Sequence, residues 1–180
     1  MRLDILSLLA ALPSAMATVS ALSYAPPPEL LAMARTNSNC KLPPDFHIKN
    51  FAAKSNETGP TASLVAYNFT FVDETTGVTT GCYFNSSSVS TTPAGLTPRY
   101  ACSHADVKFI WEDDKRELTL VERICPLPNG VAMYEVAGSE TISLSCSASG
   151  TCRTNTTDYN VKFVALDPVR DPTLVKYWVG

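Results

Sequence analysis

Beyond Cys40, apolar side chains recur at every second position. In residues 46–51 the alternation is set by Phe46 and Ile48. Residues 64–72 carry it further, with Val65, Tyr67, Phe69 and Phe71 on one face and Ala66, Asn68 and Thr70 on the other. Residues 79–85 place Cys82 and Phe84 inward, with Tyr83 and Asn85 outward. Val107, Phe109 and Trp111 alternate again, the charged run Glu112-Asp113-Asp114-Lys115-Arg116 turns the chain, and Leu118 and Leu120 return as a partner strand. That is a hairpin with a charged tip, read as a solvated turn. Further strands are predicted at 131–136, 141–146 and 159–166, the last with Tyr159, Val161 and Phe163 on one side. Roughly eight to ten short strands of this kind predict an all-β fold, a single antiparallel β-barrel or a strongly bent sandwich.

The two ends of the chain depart from this period. Arg2 precedes the apolar run 5–12, and small residues follow, with Ala15-Met16-Ala17 and Val19-Ser20-Ala21 both offering a cleavage site. Residues 1–21 therefore read as a secretory signal peptide cut near 17 or 21, too short and too broken at Pro13 to span a bilayer. In 22–39 the triple proline at Pro26, Pro27 and Pro28 favours an extended path. Pro28 and Glu29 can open a brief helix through Ala34. This stretch is expected to be a flexible arm, with the folded domain spanning 40–166. The tail 167–180 holds Pro168 and Pro172 and then Lys176, Tyr177 and Trp178, whose aromatic pair is expected to fold back onto the domain.

The leader gives the cysteines a meaning. All six, Cys40, Cys82, Cys102, Cys125, Cys146 and Cys152, lie downstream of it. In an oxidising compartment an even number reads as three disulfides, for which there are 15 connectivities. A zinc site would want C-x-x-C pairs, of which there are none. Four sequons, at Asn56, Asn68, Asn85 and Asn155, fit a secreted glycoprotein. The sequon at Asn68 falls on the polar face of its strand, so pattern and sequon agree on which side is wet. Among 180 residues 45% are hydrophobic and 17% charged, enough for an ordered core, and the net charge of −3 gives no footprint for nucleic acid.

Candidate chemistry is sparse. His47 shares a strand face with Lys49, and His104 with Asp106 lacks any G-x-S-x-G elbow to supply a serine. The acidic run Glu112, Asp113, Asp114 and Glu117 is interrupted by Lys115 and Arg116 and has no calcium-loop spacing. No phosphate loop, dinucleotide fingerprint or HExxH is present, and the basic residues are scattered. Neither a catalytic residue, a metal ligand nor a cofactor is assigned.

Taken in order, the cysteines and strands resemble the fungal secreted family of the major Alternaria allergen and its elicitor relatives. The likeness runs from Cys40 to Leu166. It includes Phe46–Phe51 as aromatic-x-Ile-Lys-x-Phe, Ala62–Phe69 as Ala-Ser-Leu-x-x-Tyr-Asn-Phe, Cys82 in the next strand, Tyr100-Ala101-Cys102, and the Asp-Asp-Lys-Arg turn with its Leu-x-Leu return. The resemblance implies an antiparallel barrel, secretion by a fungus and no enzymatic activity. It also implies Cys82–Cys102 and Cys146–Cys152 as pairs, with Cys125 an extra cysteine and an intramolecular partner for Cys40, which the family uses to link subunits. A monomer or a non-covalent dimer follows. The expected role is that of an effector, elicitor or allergen-like protein binding a host or cell-wall component, such as a plant defence protein. A carrier of a small apolar or phenolic ligand and an unrecognised secreted hydrolase are the alternatives.

Overall fold

The structure, a computed structural model, describes residues 21–169. The leader up to Ser20 and the tail beyond Val169, with Lys176, Tyr177 and Trp178, lie outside the described residues. One helix, α1 (Pro28–Thr36), precedes eleven strands. These are β1 (Asp45–Ser55), β2 (Leu64–Asp73), β3 (Val78–Phe84), β4 (Tyr100–Ala101), β5 (Val107–Glu112), β6 (Glu117–Pro126), β7 (Ala132–Thr141), β8 (Leu144–Cys146), β9 (Thr151–Thr154), β10 (Asp158–Lys162) and β11 (Ala165–Pro168).

The strands form two antiparallel sheets that face each other as a sandwich. In the six-stranded sheet the order is β3-β2-β1-β9-β8, with β10 also paired to β1. In the five-stranded sheet it is β11-β7-β6-β5-β4. The expected closed barrel is thus corrected. Among the described residues no ladder joins one sheet to the other, and the bent-sandwich alternative is the nearer description. The physical reason lies in the connection after β10. The expected single strand at 159–166 breaks at Phe163 and Val164, where the chain leaves β1 and crosses to pair with β7 (Ala165 opposite Ala137). Gly138 makes the crossing tight: a Cβ there would overlap the Lys162 carbonyl oxygen and lie 2.9 Å from Phe46 Cε1.

Strand β1 serves two partners on one side because it carries a bulge. Lys49 pairs across to Asp158 of β10, while Ala53 and Lys54 pair to β9. Between them Asn50 sits in the left-handed region (φ 56°), tolerable for asparagine, and its N–H donates to Thr157 O at 2.8 Å. The bulge resets the phase. Phe46 and Ile48 point inward before it, and Phe51, Ala53 and Ser55 after it. A second irregularity, where Lys54 opposes Ala66 but Ser55 opposes Leu64, turns Val65 out to solvent, against its expected inward place.

The intersheet layer is aromatic. Phe46 packs against Phe163 at 4.6 Å between centroids and Phe71 at 5.4 Å, while Phe69 meets Phe109 edge-on at 5.4 Å. Phe46, Phe71, Phe109 and Phe163 are completely buried. Each such side chain contributes about 2 kcal/mol by leaving water. Three disulfides join Cys40 to Cys125, Cys82 to Cys102 and Cys146 to Cys152.

Residues 22–39, expected as a flexible arm, lie against this core. Leu30 of α1 is completely buried, the Tyr24 hydroxyl donates to Pro43 O at 3.0 Å, and Asn37 Nδ2 donates to Pro126 O at 3.1 Å. One buried leucine per short helix gives little periodic signal, which is why the sequence reads as an arm.

The β5–β6 tip also departs from a solvated turn. Asp113 Oδ1 accepts from Trp111 Nε1 at 2.9 Å, from Arg116 Nη1 at 3.1 Å and from the Leu64 N–H at 3.4 Å. Arg116 Nη2 donates to Ala62 O. Burial pushes the Asp113 carboxyl up, but the donors from Trp111, Ser63 and Leu64 and the Arg116 charge outweigh it and hold the group below its usual range. The tip of one sheet is thereby pinned to the β1–β2 loop of the other.

Candidate binding groove on the five-stranded sheet

The alternation that sends Val107, Phe109, Glu122, Ile124, Tyr134 and Val136 inward sends Lys108, Arg123 and Glu135 to the outer face. Register then aligns them. Asp167 of β11 lies opposite Glu135 of β7, Glu135 lies opposite Arg123 of β6, and Lys108 of β5 is one step diagonal from Arg123. Four strands thus contribute a row of charge across the sheet.

The β3–β4 connection, residues 85–99, rises beside this row as a wall that is bonded to itself. Thr91 donates its N–H and its hydroxyl to Arg99 O, at 2.7 and 3.0 Å, and the Thr92 hydroxyl donates to Thr97 O at 2.9 Å. At its end Arg99 reaches over the sheet to Glu135 (Nη1–Oε1, 2.9 Å). Between wall and sheet lies a half-open groove of about 730 Å³, edged by Pro93, Leu96, Pro168 and Val169. That volume is within the range of small-ligand sites.

The electrostatics of the groove are uneven. Arg99 has Glu135 as its partner, whereas Arg123 and Lys108 make no ion pair among the described residues, and Arg123 Nε is buried without a hydrogen-bond partner. Burial, and then the neighbouring Arg123 and Arg99 charges, push the Lys108 ammonium below its usual range, opposed by Glu135 and Asp106. Three cations are crowded where, among the described residues, only Arg99 is neutralised by direct contact.

The residues singled out from sequence fall elsewhere. His47 Nδ1 is 2.7 Å from Asp158 Oδ1, Lys49 Nζ is 3.7 Å from Asp158 Oδ2, and Asn160 Nδ2 is 3.3 Å from His47 Nε2, a cross-strand set on the outer face of the six-stranded sheet. His104 Nδ1 accepts from the Asp106 N–H at 3.4 Å. Among the described residues no serine hydroxyl is bonded to its ring. The acidic tip gathers no group of three or more metal-ligating side chains, and the same holds throughout the described residues. Asn56, Asn68, Asn85 and Asn155 are all exposed. Each lies in the six-stranded sheet or in a loop leaving it.

One feature escaped the reading of the sequence altogether. Asp73 and Glu122, one from each sheet, are both 1% exposed, and the Asp73 carboxyl is close enough to act on Glu122 across the sandwich. Asp73 Oδ1 accepts from the Thr75 and Thr76 N–H groups, and Thr76 Oγ1 donates to Glu122 Oε1 at 2.8 Å. Among the described residues no donor reaches Asp73 Oδ2 or Glu122 Oε2, and a proton held by Glu122 leaves the buried pair with a single negative charge. Burial first, and the Asp73 carboxyl second, push Glu122 up to about 9. Burial, with Asp73 and Glu122 nearby, likewise pushes up the Tyr24 phenol. The signal was present: Glu122 follows Leu118 and Leu120 on the inward face, and Asp73 follows Phe69 and Phe71.

No protein-family model and no curated protein matches the chain. Among the described residues no helix is long and apolar enough to cross a membrane, and the three disulfides fit an extracellular protein. Two solved structures are similar to it. A crystal structure of the Alternaria alternata allergen Alt a 1 is 14% identical, with a TM-score of 0.48 over 72% of this chain and 92% of that one. A second, of the Alternaria alternata major allergen, is 14% identical, with a TM-score of 0.46 over 71% and 95%. The chain is thus similar, in the order of its residues and in its structural neighbours alike, to the major Alternaria allergen.

Proposed function

We propose that the chain is a secreted, non-enzymatic effector- or elicitor-like protein that binds a host or cell-wall component through the outer face of its five-stranded sheet. The observation that carries this reading is an asymmetry between the two sheets. Asn56, Asn68 and Asn155 belong to the six-stranded sheet and its own turns, and Asn85, at the start of the connection that walls the groove, is not one of the residues lining it, while the groove with Lys108 and Arg123 opens on the other sheet. Glycans at Asn56, Asn68 and Asn155 would leave the groove side as the face a partner can reach. Disulfides between Cys82 and Cys102 and between Cys40 and Cys125 brace the loop and the strand that frame it.

Carriage of an apolar or phenolic ligand inside the sandwich is less well supported, because aromatic rings fill the intersheet layer. The test is infiltration of the purified secreted protein into leaves of several plant hosts, beside a reduced and alkylated control and a Lys108→Glu/Arg123→Glu variant. A defence response is expected from the native protein alone. A response unchanged in the charge-reversed variant would remove the groove from the reading, and no response in any host would defeat the reading itself.

A further inference from the structure

We infer that the groove is a site for a carboxylate-bearing sugar, of the uronic-acid type, held at its acid group by Arg123 and Lys108. The inference rests on the binding role proposed above and names the chemistry of the ligand. Its first ground is the unneutralised charge. Arg123 and Lys108 sit diagonally on adjacent strands, and among the described residues neither has an ion-pair partner and the buried Arg123 Nε has nothing to donate to. A carboxylate between them accepts from both and relieves the repulsion between neighbouring cations.

The second ground is the character of the remaining lining. Glu135, paired with Arg99 and opposite Arg123, and Asp167, opposite Glu135, continue the row towards β11. Thr91 already donates its hydroxyl proton to a backbone carbonyl and so presents acceptor lone pairs to the groove, whereas the Thr92 hydroxyl is taken up within the wall by Thr97 O, Arg99 N–H and Ser90. Towards β11, then, Thr91, Asp167 and the Glu135 carboxylate offer acceptors, and they suit a ligand rich in hydroxyl donors. Pro93, Leu96 and Pro168 supply apolar edges for the C–H face of a sugar ring. A simple carboxylate would leave the acceptor end unused, and a neutral sugar would leave the cations unpaired.

The experiment is calorimetric titration of the secreted protein, at low salt, with trigalacturonate, with the neutral sugar maltotriose, and with a tripeptide of glutamate. Trigalacturonate is expected to bind, and the other two to bind at least about tenfold more weakly. Arg123→Gln and Lys108→Gln should each weaken trigalacturonate about tenfold or more. Lys49→Gln, which removes a cation from the other sheet, should leave it unchanged, and unaltered thermal unfolding of all three variants excludes misfolding. Equal binding of maltotriose or of the peptide, insensitivity to both groove variants, or no heat at millimolar trigalacturonate would each overturn the inference. A leaf response that depends on Arg123 and Lys108 without any binding of trigalacturonate leaves the broader role standing and the sugar acid refuted.

Discussion

At Glu122 burial and charge oppose each other, and the outcome is written into the pH dependence of the fold. The unfolded chain releases this proton near 4.5 and the native protein near 9, so between those values the native state holds a proton that the unfolded state has lost. The contribution of this group to stability is therefore fully present below about pH 4.5 and is lost progressively as pH rises towards 9. A Glu122→Gln variant keeps the shape, offers an N–H to Asp73, and removes the titration. Melting temperatures measured across this range should decline for the native protein and stay nearly level for the variant. Parallel declines would show that the proton is held elsewhere. The same pair illustrates how residue-scale facts hide in a sequence. Period two, extended from Phe69 and Phe71 and from Leu118 and Leu120, points both carboxyls inward, but nothing in the order of residues announces that positions 73 and 122 come together.

Gly138 decides whether the sheets can approach where β10 gives way to β11. It occupies a strand interior, where alanine is ordinarily the better residue. Here a Cβ would meet the Lys162 carbonyl oxygen and the Phe46 ring, so Gly138→Ala should cost about 3 kcal/mol through backbone displacement. Gly81, in β3, has nothing within 4 Å of the same position and no positive φ, and Gly81→Ala should be neutral or slightly stabilising. Chemical denaturation of the two variants side by side measures the difference, and equal effects would remove the close approach as its cause. The strands themselves were legible wherever alternation met a turn, as in the β5–β6 hairpin. The break at Val164 was not, because the alternation of Tyr159, Val161 and Phe163 simply runs on. Nor was the groove: Lys108, Arg123 and Glu135 become neighbours only through the β5-β6-β7 order, and scattered basic residues are what such a row looks like along the chain.

Across the whole molecule the Cys40–Cys125 bond has the longest reach, closing a separation of 85 residues and tying the segment that carries α1 to the end of β6. In the chain-entropy account a loop of that length stabilises by about 4.6 kcal/mol, against about 3.3 kcal/mol for Cys82–Cys102. A Cys40→Ser/Cys125→Ser variant should therefore lose the most in thermal unfolding and should expose Leu30 and Tyr24 first. Hydrogen exchange in 24–37 no faster than in the native protein would contradict this. The shorter bond has a different consequence. The wall of the groove, with Arg99 at its end, lies wholly between Cys82 and Cys102, so a trypsin-like protease that cuts after Arg99 leaves both fragments covalently joined. Such a nicked molecule migrates as one intact band until it is reduced. Activity lost in culture fluid without any apparent change in size would then have its origin in this hidden scission.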